Sequence, residues 1–144
     1  MDDATGARAA LVVEDDYLLA IDAEANLREL GFNPVFVAPS LEEGRKYLHS
    51  HLFGLAVLDV NVGSEVVFPL AADVAEMGIP IVFSTARPAH EFPAEWAHFP
   101  ILRKPWIPAA LKRILDALGR NFDLLSPNVV VSCRLASGFT NPSR

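Results

Sequence analysis

Five short apolar segments recur along the chain and predict β-strands. Their bounds are residues 9–13, 34–38, 54–58, 79–83 and 99–102. They are rich in Val, Leu, Ile and Phe, and the apolar residues are mostly continuous rather than alternating with polar ones. Continuous apolar strands are typical of a parallel sheet whose two faces are both covered by helices.

Four segments between or after these strands carry apolar residues every three or four positions, as amphipathic helices do. The predicted inner faces are Leu19, Ala23, Leu27 and Leu30 in the first helix; Leu41, Gly44 and Leu48 in the second; Leu70, Val74 and Met77 in the third; and Ile107, Leu111, Ile114, Leu115 and Leu118 in the fourth. Residues 40–43, Ser-Leu-Glu-Glu, form a capping-box pattern before the second helix. Pro69 suits the first helical position of the third helix and would interrupt the helix anywhere later, and Pro108 suits the start of the fourth. Gly31 and Gly119 suit the ends of the first and fourth.

The alternation of strands and helices predicts an α/β fold with a doubly wound, five-stranded parallel sheet. The connection at residues 85–98 contains Pro88 and Pro93 and little helical periodicity, so we expect any helix there to be short or mobile. We expect one domain over residues 8–119, followed by a C-terminal extension over residues 120–144 without an output domain. For that extension, disorder and docking onto the domain are equal alternatives.

Length, charge and cysteine content narrow the class of protein. The 144 residues are 51% hydrophobic, which suits one soluble domain, and the 12 basic and 18 acidic side chains give a net charge of −6. Nucleic-acid binding is therefore disfavoured, because it relies on concentrated Lys and Arg. The acidic start and the lack of a long apolar run argue against secretion and membrane insertion. The lone Cys133 cannot form an intramolecular disulfide, so we expect a cytoplasmic protein.

Polar residues stand at the carboxyl ends of four predicted strands, where doubly wound sheets bind their ligands. These residues are Glu14, Asp15 and Asp16 after the first strand, Asp59 and Asn61 after the third, Thr85 after the fourth and Lys104 after the fifth. Oxygen ligands without His or Cys favour a hard cation such as Mg²⁺. An Asp beside such an ion is a plausible nucleophile toward a phosphoryl group, with Lys104 and Thr85 stabilising the phosphoryl oxygens.

Each of these residues also has an ordinary structural interpretation. Asp16 suits the cap of the following helix, Asp59 alone would suit a turn, and Thr85 alone would be a strand-end hydroxyl. The Lys104-Pro105 pair by itself does not indicate a functional site. Their joint occurrence at successive strand ends favours a functional site.

Four motifs resemble those of the receiver domains of two-component response regulators. They are residues 11–16 (Leu-Val-Val-Glu-Asp-Asp), 58–61 (Leu-Asp-Val-Asn), 83–86 (Phe-Ser-Thr-Ala) and 104–105 (Lys-Pro), and the resemblance spans about residues 8–119. It implies a flavodoxin-like fold in which Asp59 is the phosphoacceptor. Asp15, with Glu14 more indirectly, would bind Mg²⁺ together with Asp59 and the backbone carbonyl of Asn61. Thr85 would be the switch hydroxyl, and Lys104 would be the counter-ion of the phosphoryl group.

The resemblance also implies partners and a role. A sensor histidine kinase or a histidine phosphotransfer protein would donate the phosphoryl group, and the domain would be a phospho-shuttle, a phosphate sink or a phosphorylation-gated binder of a protein partner. It would catalyse its own phosphorylation without being a turnover enzyme. A homodimer is compatible with the pattern, and neither nucleic acid nor membrane is implied.

The chain departs from the family pattern in three places. Residues 62–65 (Val-Gly-Ser-Glu) replace the Met-Pro and Asp-Gly pairs of many receivers and resemble a subgroup of short ones. Ile101 replaces the aromatic residue that many receivers carry three positions before the lysine. Residues 87–96 lack the pattern of a well-formed fourth helix, so we expect a loop output surface. Trp96 and Trp106 are expected to pack against the core or its edge rather than anchor a partner.

Two other functions remain as alternatives. A haloacid-dehalogenase-like phosphatase also uses an Asp nucleophile, a Ser or Thr, a Lys and acidic metal ligands. Its nucleophilic Asp belongs to the first motif and a second Asp follows two residues later, whereas here the Asp motif comes third and Asn61 stands at the second position. The other alternative is a receiver-fold scaffold that works unphosphorylated, against which the complete set of strand-end residues argues.

Overall fold

The computed structural model describes residues 8–88 and 91–124. The strands are β1 (Ala10–Val13), β2 (Val35–Ala38), β3 (Leu55–Asp59), β4 (Asn61–Val62), β5 (Glu65–Val66), β6 (Ile81–Thr85) and β7 (Ile101–Arg103). The helices are α1 (Tyr17–Glu29), α2 (Leu41–Ser50), α3 (Phe68–Glu76) and α4 (Pro108–Leu124), and a 3₁₀ turn lies at Ala94–Trp96. Five strands form a parallel sheet in the order β2-β1-β3-β6-β7, and β4 pairs antiparallel with β5. The predicted α/β fold with a doubly wound five-stranded sheet is therefore confirmed.

Prolines explain why three strands begin later than predicted. Pro34, Pro80 and Pro100 each lie one residue before the start of β2, β6 and β7. A proline has no N–H to donate to the ladder, but its carbonyl still accepts. Each of these carbonyls accepts a hydrogen bond from the neighbouring strand at 2.9–3.0 Å. The prolines therefore mark the amino ends of these three strands.

Helices cover both faces of the sheet. An added Cβ on Gly44 of α2 would lie 3.1 Å from Leu70 of α3 and 3.2 Å from Val13 of β1, so α2 and α3 pack closely on the face to which Val13 points. Val12 points to the opposite face because side chains alternate along a strand. There it lines a small cavity together with Ala23 of α1. The core consequently has two halves with the sheet between them.

The predicted helix signals are confirmed for the first two helices. Asp16 caps α1 by accepting a hydrogen bond from the backbone N–H of Leu19 at 3.1 Å. Ser40 caps α2 in the same way. Gly31 follows α1 with φ at +103°, a left-handed conformation that residues with a side chain rarely adopt. Pro69 is the second residue of α3, one position later than predicted and still within the first turn.

Three helix predictions are wrong. Met77 is 50% exposed because α3 ends at Glu76, one residue earlier. Ile107 is 63% exposed because it precedes the first residue of α4 and so does not lie on its inner face. Gly119 does not end α4, which continues to Leu124, since a glycine disfavours a helix interior by only about 1 kcal/mol.

The β6–β7 connection holds the short 3₁₀ turn and no α-helix among its described residues, 86–88 and 91–100, in line with its proline content. It is held by aromatic packing. Trp96 stacks on Phe68 of α3 at a centroid distance of 5.8 Å and contacts Phe83 of β6 at 5.7 Å. Trp96 and Trp106 both pack against the core, as expected.

The C-terminal extension is predicted over residues 120–144. Residues 120–124 continue α4, and residues 125–144 lie outside the described residues. None of the helices in the described part of the chain is both long enough and apolar enough to cross a membrane.

Candidate functional site

Three carboxylates meet at the carboxyl edge of the sheet. Glu14 and Asp15 directly follow β1, and Asp59 is the last residue of β3, the neighbouring strand. One carboxylate oxygen from each lies within 4.8 Å of the others. Glu14 and Asp59 are buried, at 6% and 5% exposure, and Asp15 is exposed. This cluster of oxygen ligands could bind a metal ion.

Lys104 supplies positive charge to the cluster. Its Nζ lies 2.9 Å from Oε1 of Glu14 and 3.0 Å from Oδ2 of Asp59, and its side chain is only 15% exposed. The short strand β7 delivers it there, with the Lys104 backbone N–H donating to the Thr85 carbonyl at 2.8 Å. One ammonium against three carboxylates leaves the cluster negative, which favours a cation.

Two pKa values respond to this arrangement. Burial raises the pKa of Glu14, although hydrogen bonds from Lys104 and from the Asp16 backbone oppose the shift; the Asp59 charge adds to it. Burial by itself would lower the pKa of Lys104, but its hydrogen bonds to Glu14 and Asp59 outweigh burial and raise it. Lys104 is therefore a firmly protonated cation at neutral pH.

A small hairpin follows Asp59 and holds Asp15. Strands β4 and β5 are joined by Gly63 and Ser64, with Gly63 at φ +63°, and the Gly63 N–H donates to Oδ2 of Asp15 at 2.8 Å. The contact ties the loop after β1 to the loop after β3. This hairpin was not predicted from the sequence, although a Gly-Ser pair between valine-containing segments is a recognised hairpin signal.

Thr85 and Asn61 are connected through a residue that sequence reasoning also missed. Thr85 is 3% exposed at the end of β6, and its Oγ1 accepts the backbone N–H of Arg87 at 3.0 Å. The Arg87 side chain turns toward β4, where its Nε donates to Oδ1 of Asn61 at 2.9 Å. Arg87 thus links the carboxyl ends of β3 and β6, which are neighbours in the sheet. Its position two residues after a strand-end hydroxyl was the available signal.

All six predicted site residues lie at this edge. Contacts join Glu14, Asp59 and Lys104 directly, and Asp15 completes the carboxylate cluster. Asn61 and Thr85 belong to the same rim through Arg87. Asp16 instead caps α1, which was the ordinary interpretation of that residue.

Comparisons with known proteins identify the family. No protein-family model and no curated protein matches the chain. Among solved structures, the chain is 30% identical to SdrG from Sphingomonas melonis Fr1, with a TM-score of 0.68, over 76% of this chain and 94% of SdrG. A response regulator receiver domain (CheY-like) from Methylobacillus flagellatus has the same fold, with a TM-score of 0.67 at 21% identity over 76% of this chain and 97% of that one. The chain belongs to the response-regulator receiver domains.

A second SdrG structure extends the comparison. The receiver domain is 27% identical to the BeF3-activated conformation of SdrG from Pseudomonas melonis Fr1, with a TM-score of 0.67 over 77% of this chain and 95% of that one. The resemblance inferred from the four sequence motifs is thereby confirmed at the level of the family.

Proposed function

We propose that this receiver domain accepts a phosphoryl group on Asp59 from the phosphohistidine of a sensor histidine kinase or of a histidine phosphotransfer protein. One observation carries the proposal: the buried Asp59 carboxylate lies 3.0 Å from the Lys104 ammonium and within the carboxylate cluster. In the transfer, the P–N bond of the donor breaks, a P–O bond to a carboxylate oxygen of Asp59 forms, and the donor imidazole is released.

The carboxylate cluster fits Mg²⁺, because it offers hard oxygen ligands that one lysine only partly neutralises. Asp15 and Asp59 would hold the ion together with the backbone carbonyl of Asn61, and Glu14 would act more indirectly. When bound, Mg²⁺ would offset the negative charge of the carboxylates and of the phosphoryl oxygens. Lys104 holds the carboxylate of Asp59 in place, and the Thr85 hydroxyl, whose oxygen already accepts from Arg87, keeps its proton for a phosphoryl oxygen.

The similarity to SdrG supports phosphorylation, because one SdrG structure represents a BeF3-activated conformation, and BeF3⁻ is a phosphoryl mimic. The phosphorylated domain would then serve as a phospho-shuttle, a phosphate sink or a gated binder of a protein partner. We do not propose continuous turnover, which a phosphatase of the haloacid-dehalogenase type would show.

Intact-mass spectrometry after treatment with a small phosphodonor and Mg²⁺ tests the proposal. We expect one phosphoryl adduct per chain, lost in Asp59→Asn because the nucleophilic carboxylate is gone. Asp16→Asn is the matched control, since Asn keeps the cap of α1, and it should be phosphorylated normally. Steady release of phosphate without an adduct would indicate the phosphatase, and no reaction would indicate the unphosphorylated scaffold.

Exposed apolar side chains beside the site suit a protein donor. Tyr17 and Leu18 at the start of α1 are 75% and 74% exposed, and Ile107 follows Lys104 by three residues at 63% exposure. We expect Leu18→Ser to slow transfer from a phosphorylated kinase about tenfold while leaving the rate with a small phosphodonor unchanged. Leu52→Ser is the control, because Leu52 is 79% exposed just before β3. It lies near the amino ends of the strands, and the site lies at their carboxyl ends. Equal slowing by both substitutions would contradict a donor surface at α1.

A further inference from the structure

A small cavity lies beneath the carboxylate cluster on the α1 side of the sheet. Its volume is about 40 Å³, room for one or two water molecules. Its polar lining residues are Glu14, Asp22, Asp59, Ser84 and Lys104. Val57 and Trp106 are among the apolar residues that line it. The cavity therefore has a mixed lining of polar and apolar residues.

Ser84 is the unexplained residue of this cavity. It pairs in parallel register with Asp59, so both side chains point to the same face of the sheet. Ser84 is 3% exposed, and its hydroxyl has no hydrogen-bond partner among the described residues. A buried hydroxyl without a partner is unfavourable, and such groups are commonly satisfied by an ordered water.

Lys104 offers the second group that such a water needs. Its ammonium has three N–H donors, of which two are directed to Glu14 and Asp59. Within the described part of the chain, the third has no protein acceptor. Ser84 and Lys104 both line this cavity.

We propose that the cavity binds a water molecule that accepts a hydrogen bond from the third N–H of Lys104 and hydrogen-bonds the Ser84 hydroxyl. Through this water, Ser84 acts as a positioning residue that holds the ammonium toward Asp59. The observations that support the water are the cavity and the buried Ser84 hydroxyl without a partner among the described residues. Its effect on phosphorylation rests on the proposed function of Asp59.

Three variants and a crystal structure test the inference. A high-resolution structure should show a water within hydrogen-bonding distance of Ser84 Oγ and Lys104 Nζ. Ser84→Ala should slow phosphorylation by a small phosphodonor at saturating Mg²⁺ about 3- to 10-fold, because the water loses a partner and Lys104 its support. Ser84→Thr keeps the hydroxyl and should react within about twofold of the wild type. Ser50→Ala makes the same chemical change at an exposed position at the end of α2 and should have no effect.

Thermal unfolding gives a readout that does not depend on phosphorylation. Removing a buried hydroxyl that truly lacks a partner relieves an unsatisfied polar group and stabilises a protein, whereas removing one that is bound to water does not. We expect the melting temperature of Ser84→Ala not to exceed that of the wild type. A dry cavity, or a more stable Ser84→Ala protein that is phosphorylated at the wild-type rate, would overturn the inference. A wild-type protein that takes no phosphoryl group would overturn the proposed function instead, and the crystal structure and melting temperatures would still decide on the water.

Discussion

Three of the site side chains accept a hydrogen bond from a backbone N–H two residues further along the chain. The pairs are Glu14 with Asp16 at 3.1 Å, Asp59 with Asn61 at 3.3 Å and Thr85 with Arg87 at 3.0 Å. Each bond closes a tight local turn at the end of a strand, as short polar side chains often do. The loop conformation and the position of the side chain are therefore set together, which orients the site before any ligand arrives.

The raised pKa of Glu14 leads to a prediction about pH. A buried carboxyl with a raised pKa binds its proton more tightly in the folded state than in the unfolded state. Its contribution to stability therefore falls as pH rises from its ordinary pKa of 4.5 through the folded-state value. We expect Glu14→Gln to raise the free energy of unfolding at neutral pH in EDTA, and the gain to disappear as the pH falls toward 4.5.

Urea unfolding across this pH range measures the effect. Glu76→Gln, which makes the same substitution at an exposed position at the end of α3, is the control measured alongside. A gain from Glu14→Gln that increases toward acidic pH would contradict the raised pKa of this carboxyl.

At the level of elements, aromatic packing links β6 to the connection that follows it. Phe83 lies two residues before Thr85 on the same face of β6 and pairs in register with Ile101 of β7. Its ring lies 5.2 Å from that of Phe92 and 5.7 Å from that of Trp96. Ile101 stands where many receivers carry a switch aromatic. It therefore lies next to an aromatic cluster that residues of other elements form. We expect this cluster to respond when Thr85 binds a phosphoryl group.

Tryptophan fluorescence can test that response. In a Trp106→Phe protein, Trp96 is the remaining tryptophan, and its emission should change when BeF3⁻ and Mg²⁺ are added. Adding Thr85→Ala should abolish the change, because the hydroxyl that transmits the signal is gone. The converse protein, Trp96→Phe, keeps Trp106 next to the site and reports binding itself. Binding reported by Trp106 without any change at Trp96 would place the output surface elsewhere.

At the level of the whole molecule, stability depends on how the charge of the cluster is balanced. The chain carries a net charge of −6, and three of its carboxylates are crowded around one lysine. A ligand that binds only the folded state stabilises it in proportion to the logarithm of its concentration. Mg²⁺ is therefore expected to raise the melting temperature. Because Lys104 and the ion both neutralise the carboxylates, each can partly replace the other.

Lys104→Met tests this balance. In EDTA we expect the free energy of unfolding to fall by about 2 kcal/mol, less than for a fully buried pair because Lys104 is partly exposed. The increase in melting temperature on adding Mg²⁺ should be larger than in the wild type, because more negative charge remains to be neutralised. Lys112→Met removes an exposed lysine that pairs with Asp116 and should change neither quantity appreciably. A smaller Mg²⁺ response in Lys104→Met would contradict the idea.

The amino-acid sequence by itself determined the order of strands and helices and the edge at which the polar residues meet. Continuous apolar runs, the capping residues Asp16 and Ser40, and Gly31 act through local backbone preference and burial, so their effects can be predicted from neighbouring residues. The placement of Asp59, Thr85 and Lys104 at one edge follows from the same logic, because parallel strands end together.

Only the tertiary structure decided which side chains touch. Lys104 reaches both Glu14 and Asp59, Arg87 reaches Asn61, and Ser84 lies beside Asp59 because of strand register and loop conformation. These contacts join residues far apart in the chain, for example Arg87 with Asn61 and Lys104 with Glu14. No local pattern encodes such contacts. They depend on the packing of the whole core.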